Sequence, residues 1–90
     1  MKFFSWNIEK NEQLKKERNV SFEEVVFLMK KGQLLDIAEH HDQEKYPRQM
    51  ILIVNINDYA YLIPFIETDN EVILKTIIPG RKATKKYLKG

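Results

Sequence analysis

Residues 49–67, QMILIVNINDYAYLIPFIE, decide the fold. Residues 49–56 are almost continuously apolar, the pattern of a strand buried on both faces or central in a sheet. Asn57-Asp58 then supplies a two-residue hairpin turn. Beyond it Tyr59, Tyr61, Ile63 and Phe65 alternate with Ala60, Leu62, Pro64 and Ile66, which is strand periodicity. Pro64 has no N–H to give to a ladder, so a bulge or a locally open edge is expected opposite it.

Outward from the hairpin, residues 68–70 turn the chain and residues 72–78 read as the next strand. The apolar run stops at Pro79-Gly80, after which the sequence is almost entirely cationic. As a helix, this tail places Lys82, Lys85, Lys86 and Lys89 at i, i+3, i+4 and i+7, on one face. The pairs Ala83 with Tyr87 and Thr84 with Leu88 then point away from the lysines, toward the sheet. Four like charges on one stripe repel, and no acidic residue lies near them in sequence to relieve them.

On the other side of the hairpin, residues 34–39 form a short strand and residues 40–48, with Pro47, a loop. Asn7 caps a polar surface helix over residues 8–18, whose interior has little apolar content beyond Leu14. Ser21-Phe22-Glu23-Glu24 is a capping box that opens a second helix. In it Phe22, Val25, Val26 and Met29 recur at helical spacing, and Gly32 follows Lys30-Lys31 as a stop signal. The expected architecture is α+β. Two N-terminal helices pack on a mostly antiparallel sheet of about four strands, and a short basic helix ends the chain.

Ninety residues allow one small domain, 1–90, which buries only roughly 60–65% of its unfolded surface. Without cysteine, no disulfide or thiolate metal site can brace that core. The start of the chain lacks the apolar stretch of a signal peptide, and no run is long enough to cross a bilayer, so the expected compartment is the cytoplasm and no membrane partner is expected. Net charge is +2, but its distribution is uneven. From Lys75 onward there are six basic residues and no acidic one, leaving nine of the fifteen basic residues and all thirteen acidic ones in the rest of the chain. A weakly acidic body with a cationic end suits a polyanion or an acidic protein partner.

The stretch from Phe4 through Trp6 to Lys10, followed by Val20-Ser21-Phe22-Glu23-Glu24, resembles the opening of the BrnT family of bacterial type II toxins. That family reads tryptophan, acidic residue, proline, any residue, lysine, and later a helix start of the form (V/I)-S-F-E-E. Residues 77–87, IIPGRKATKKY, look like its closing strand and its arginine, any residue, alanine, threonine signature. The match covers both ends and is ungapped from Trp6 to Val25. In three places the chain departs from the pattern. Glu17-Arg18-Asn19 stands where the family has lysine-histidine-glycine, Asn7-Ile8 replaces the acidic residue and proline, and Pro79-Gly80 replaces serine and alanine.

The resemblance implies a fold like that of the RelE ribonuclease toxins, RNA cleavage and growth arrest; no metal or cofactor is expected. It also implies neutralisation by a cognate antitoxin, commonly with a ribbon-helix-helix part, through which alone operator DNA is contacted. An interaction module without catalysis, binding an antitoxin or nucleic acid, is the alternative on the same fold.

RNA can be cut without a metal when its 2′-OH is held in line with the phosphate and cations hold the developing charge. Arg81, where the strand ends, is the first candidate for that charge, because a guanidinium grips phosphate through two donors. Lys10 and Arg18 are catalytic candidates from the first helix, and Lys15, Lys82, Lys85, Lys86 and Lys89 are candidate RNA contacts. Tyr87 is a further acid–base candidate that can instead pack the last helix onto the sheet. His40-His41, flanked by Glu39 and Asp42, make a poor metal site, since adjacent residues seldom aim two imidazoles at one ion. Trp6, Tyr59 and Tyr61 could stack on bases, but their positions suit core and rim packing better.

Overall fold

The computed structural model describes residues 2–89, so Gly90 of the basic tail lies outside the described residues. In chain order they form β1 (Phe3–Ser5), α1 (Ile8–Arg18), α2 (Phe22–Lys30), β2 (Leu34–Glu39) and β3 (Met50–Ile56). Then follow β4 (Tyr59–Glu67), β5 (Glu71–Leu74), β6 (Ile78–Pro79) and α3 (Arg81–Leu88). The sheet runs β1-β5-β4-β3-β2, and β6 adds to β4 off that path. All neighbours are antiparallel except β1, which lies parallel to β5.

Local chemistry sets most boundaries. The Asn7 side chain accepts from the Lys10 N–H at 2.9 Å to open α1, and Ser21 Oγ accepts from the Glu24 N–H at 3.1 Å to open α2. Asn19 ends α1 at φ 56°, a left-handed backbone that asparagine tolerates better than most residues. Gly32, at φ 83°, ends α2: its N–H reaches the Met29 carbonyl, and the Gln33 N–H reaches that of Leu28. This is a Schellman closure. Asn57 and Asp58 both have positive φ and make the tight β3–β4 turn.

Register divides the hairpin into two faces. Leu52 pairs with Ile63 and Val54 with Tyr61, whereas Ile53 pairs with Leu62 and Asn55 with Ala60. The first set joins Leu14, Val20, Phe22 and Val25 in one core beneath α1 and α2. Trp6 stacks on Phe22 at 5.6 Å between ring centroids and closes that core near its edge. The second set faces α3, which packs along β4 and buries Ile53 and Ala60. Helices therefore cover both faces of the sheet.

The α+β class and the helix order agree with the sequence reading; the strand count does not. The sheet has six strands rather than about four. The added ones are β1 and β6, and the expected strand over residues 72–78 is two short strands with a gap between them. Pro64 accounts for the gap. Its carbonyl accepts from the Lys75 N–H at 2.8 Å, so the side of β4 that Pro64 turns outward faces the segment between β5 and β6. On that side Pro64 has no N–H to offer, and pairing resumes only at Leu62 with Ile78.

Candidate functional site

The cationic tail is built onto the sheet at one tight joint. Gly80 donates its N–H to the Ala60 carbonyl at 2.9 Å. A Cβ at Gly80 would stand 3.1 Å from Leu62 Cγ and 3.3 Å from the Ala60 oxygen, so only glycine fits there without displacement. From that point α3 begins. Thr84, buried to 2% exposure, holds it in place: Oγ1 accepts from the Ala60 N–H at 2.9 Å and donates to the Gly80 carbonyl at 2.7 Å. At the far end the Tyr87 hydroxyl donates to the Asp36 carboxylate on β2. Ala83, Tyr87 and Leu88 are half-buried, while Arg81, Lys82, Lys85, Lys86 and Lys89 are exposed. The four lysines occupy the outward face that their spacing implies.

Among the described residues, no cation on α3 has a carboxylate within ion-pair distance; the pairs formed are Lys2 with Glu67, and Lys15 with Glu12 and Glu23. Lys86 lies near enough to Asp36 to be felt electrostatically, and its Nζ sits 5.2 Å from the Tyr87 ring centroid. Arg81 occupies the first position of α3, beside the exposed strand end Ile78–Pro79. The helix has no acidic residue in its first turn and no side-chain cap.

Arg18 reaches the same joint from the other layer. Its guanidinium donates to the Ile77 carbonyl at 2.6 Å, tying the end of α1 to the segment that leads into Arg81. The remaining α1 candidates stand apart. Lys10 is half-buried in the first turns of α1, and Lys15 is engaged by Glu12 at 3.0 Å and Glu23 at 3.8 Å. The hydrogen bond to Glu12 holds the Lys15 ammonium above its ordinary pKa. Arg81, the three lysines within α3 and Lys89 at its C-cap thus border one region, and Arg18 touches the chain leading into it only at the Ile77 carbonyl. Lys10 and Lys15 belong to the helical layer on the opposite face of the sheet.

The other sequence candidates have structural partners. His40 Nδ1 accepts from the Asp42 N–H at 3.1 Å, and its ring stacks on His41 and meets Tyr46 at a tilt. Among the described residues no cluster of three or more metal-ligating side chains forms. Tyr59 and Tyr61 meet edge to face at 5.7 Å and are half-buried. The bond to Asp36, aided by burial, raises the Tyr87 phenol above its ordinary pKa. The same bond, with the Ile37 N–H, lowers the Asp36 carboxyl. Tyr87 is therefore held as a proton donor to Asp36.

Two buried polar residues hold structure without having been candidates for chemistry. Thr84 is one. The other is Asn11, buried to 3% exposure, which accepts from the Phe22 N–H at 2.8 Å and donates to Glu23 at 2.7 Å. Its one sequence signal is position: it lies three residues before Leu14, on the only inward stripe of a polar helix. Chemically, the α3 region can hold several phosphates and stabilise added negative charge. Comparison of the chain with protein-family models, curated proteins and solved structures found no match.

Proposed function

We propose that the chain is the toxin half of a toxin–antitoxin pair, acting as a metal-independent ribonuclease. The observation that carries this reading is α3. It is a helix whose cations meet no carboxylate within ion-pair distance among the described residues; it starts at Arg81 and is anchored to the sheet through Thr84 and Tyr87. The resemblance of residues 6–25 and 77–87 to BrnT toxins supports the same conclusion, as does a fold with helices on both faces of a largely antiparallel sheet.

In this reading the lysines of α3 hold the RNA backbone, and Arg81 takes the charge that grows on the phosphate as the 2′-oxygen attacks. Arg18, at the Ile77 carbonyl, stands where the family carries histidine and supplies a second guanidinium near the joint. Lys10 and Lys15, on the opposite layer and with Lys15 held by Glu12 and Glu23, are left as secondary candidates apart from this surface. A cognate antitoxin covers the site until it is removed.

A second reading, an interaction module without catalysis, is favoured by one observation. On the α2 side of the sheet, Phe4, Met29, Ile37, Leu52 and Phe65, with Glu67 as the one charged lining residue among those described, border an open and mostly apolar groove of about 230 Å³. Expression separates the two. The toxin reading predicts growth arrest and fragmented RNA when the chain is induced alone, relieved by Arg81→Ala with partner binding retained. A transition-state contact of this kind is worth roughly 100- to 1000-fold in rate. Normal growth with intact RNA would leave only the interaction module.

A further inference from the structure

We propose that α3 seats on the backbone of base-paired, stacked nucleic acid, under the RNA reading a stem of the target, rather than on an unstacked single strand. This deepens the proposed function and rests on it only for the choice of RNA: the stem seats on Lys82, Lys85 and Lys89, and the phosphate cut at Arg81 belongs to an unpaired nucleotide flanking it, free to reach the in-line geometry.

The surface offers charge without a platform for bases. Lys82, Lys85 and Lys89 are exposed, and each is free of carboxylate contacts among the described residues. Single strands are bound chiefly by stacking their bases on aromatic side chains. The aromatic residue within α3, Tyr87, is half-buried with its hydroxyl on Asp36, and Tyr61 packs on the core of the opposite face. Phe3, Phe4 and Phe27 are exposed on β1 and α2, and the exposed rings of His41 and Tyr46 belong to the loop after β2, whereas α3 lies on β4 and reaches β2 at Asp36. A base unstacked beside Lys82, Lys85 and Lys89 therefore finds no fully exposed ring within α3 to replace its neighbour, the Tyr87 ring being half-buried with Lys86 beside it.

Charge density points the same way. Lys89, the C-cap of α3, stands seven positions after Lys82, so the stripe runs about 10 Å along the helix axis. Along that length a duplex presents about one charge per 1.7 Å of axis, against one per 3.4 Å for each strand taken alone. Lysines, as flexible point charges, accept phosphates of either strand without demanding a fixed geometry.

Fully 2′-O-methylated probes test this without cleavage, because they lack the attacking hydroxyl. A 16-base-pair RNA hairpin, an unstructured oligouridine of equal charge and a DNA duplex of the stem sequence are titrated with the whole chain at several salt concentrations. Tighter binding to the paired probes than to oligouridine, on the order of tenfold, is expected, with the DNA arm showing whether helix form is also read. Lys82→Gln, Lys85→Gln and Lys89→Gln should each weaken stem binding and reduce the log–log salt slope by about 0.9. These positions are exposed, so circular dichroism should stay unchanged. Equal or tighter binding to oligouridine, or stem binding indifferent to all three substitutions, overturns the proposal. Stem binding without growth arrest defeats the ribonuclease reading alone, and growth arrest with a preference for oligouridine defeats this inference alone.

Discussion

Asn11 shows how one polar side chain can join two helices. Its carbonyl oxygen takes the Phe22 N–H, a donor at the start of α2 with no partner inside its own helix. Its amide holds the Glu23 carboxylate, lowering the carboxyl pKa, with a smaller contribution from Lys15. Asn11→Ala leaves a buried N–H unpaired, which costs about 1–3 kcal/mol, and urea denaturation should show that loss. Asn11→Asp keeps an acceptor for Phe22 but sets a second carboxylate against Glu23. Its deficit relative to wild type should be largest near neutral pH and shrink as acid neutralises the pair. For wild type, the Glu23 contribution is present above the ordinary glutamate range and fades as pH falls through its lowered pKa. A deficit in Asn11→Asp that is constant with pH would mean that Glu23 is not its cause.

At the level of elements, α3 stays on the sheet through two contacts of different kinds. Thr84→Val keeps the shape but removes the acceptor for the Ala60 N–H, a loss of about 1–3 kcal/mol. Thr84→Ser should retain most of the stability. Amide hydrogen exchange in α3 should accelerate in the first variant and not in the second. The Tyr87–Asp36 bond adds a pH window. Asp36 is depressed, so its contribution is present above the ordinary aspartate range and lost in acid; Tyr87 is raised, so its contribution is present below the ordinary phenol range and lost in alkali. The clasp therefore holds between about pH 4 and about pH 10. In Asp36→Asn the Tyr87 titration, followed by ultraviolet absorbance, should move down toward that of a free phenol. The elements were legible in the sequence in proportion to how local their causes are. The caps at Asn7 and Ser21, the Asn57-Asp58 turn and the lysine spacing of α3 are each set by a few neighbouring residues. β1 and β6, of three and two residues, are too short to carry periodicity and exist through their pairing with β5 and β4. The positions of Lys10 and Lys15 relative to α3 are likewise tertiary facts, set by which face of the sheet each helix covers.

For the molecule as a whole, the Cα radius of gyration of 12.7 Å is close to the roughly 12 Å expected for a compact chain of this length. Long-range pairing supports that compactness: β1 closes parallel onto β5, and Arg18 joins α1 to the approach to α3. If these links make one cooperative unit, both faces of the sheet should unfold together. Trp6, the single tryptophan, reports the α1–α2 face through its stack on Phe22, whereas exchange of the α3 amides reports the other. In urea, tryptophan fluorescence and far-ultraviolet circular dichroism should give one coincident transition, with a slope near 1 kcal/mol per molar for so small a chain. The slowest α3 amides, at Thr84 and Lys85, should approach the global free energy of unfolding, because Thr84 is bonded into β4. If α3 exchanges far faster than the β3–β4 hairpin while Trp6 still reports a folded core, the basic helix is a separately stable layer. Arg81 would then owe its position to binding rather than to the fold, and an Arg81→Ala phenotype would have to be judged against the docking of α3 as well as against phosphate contact.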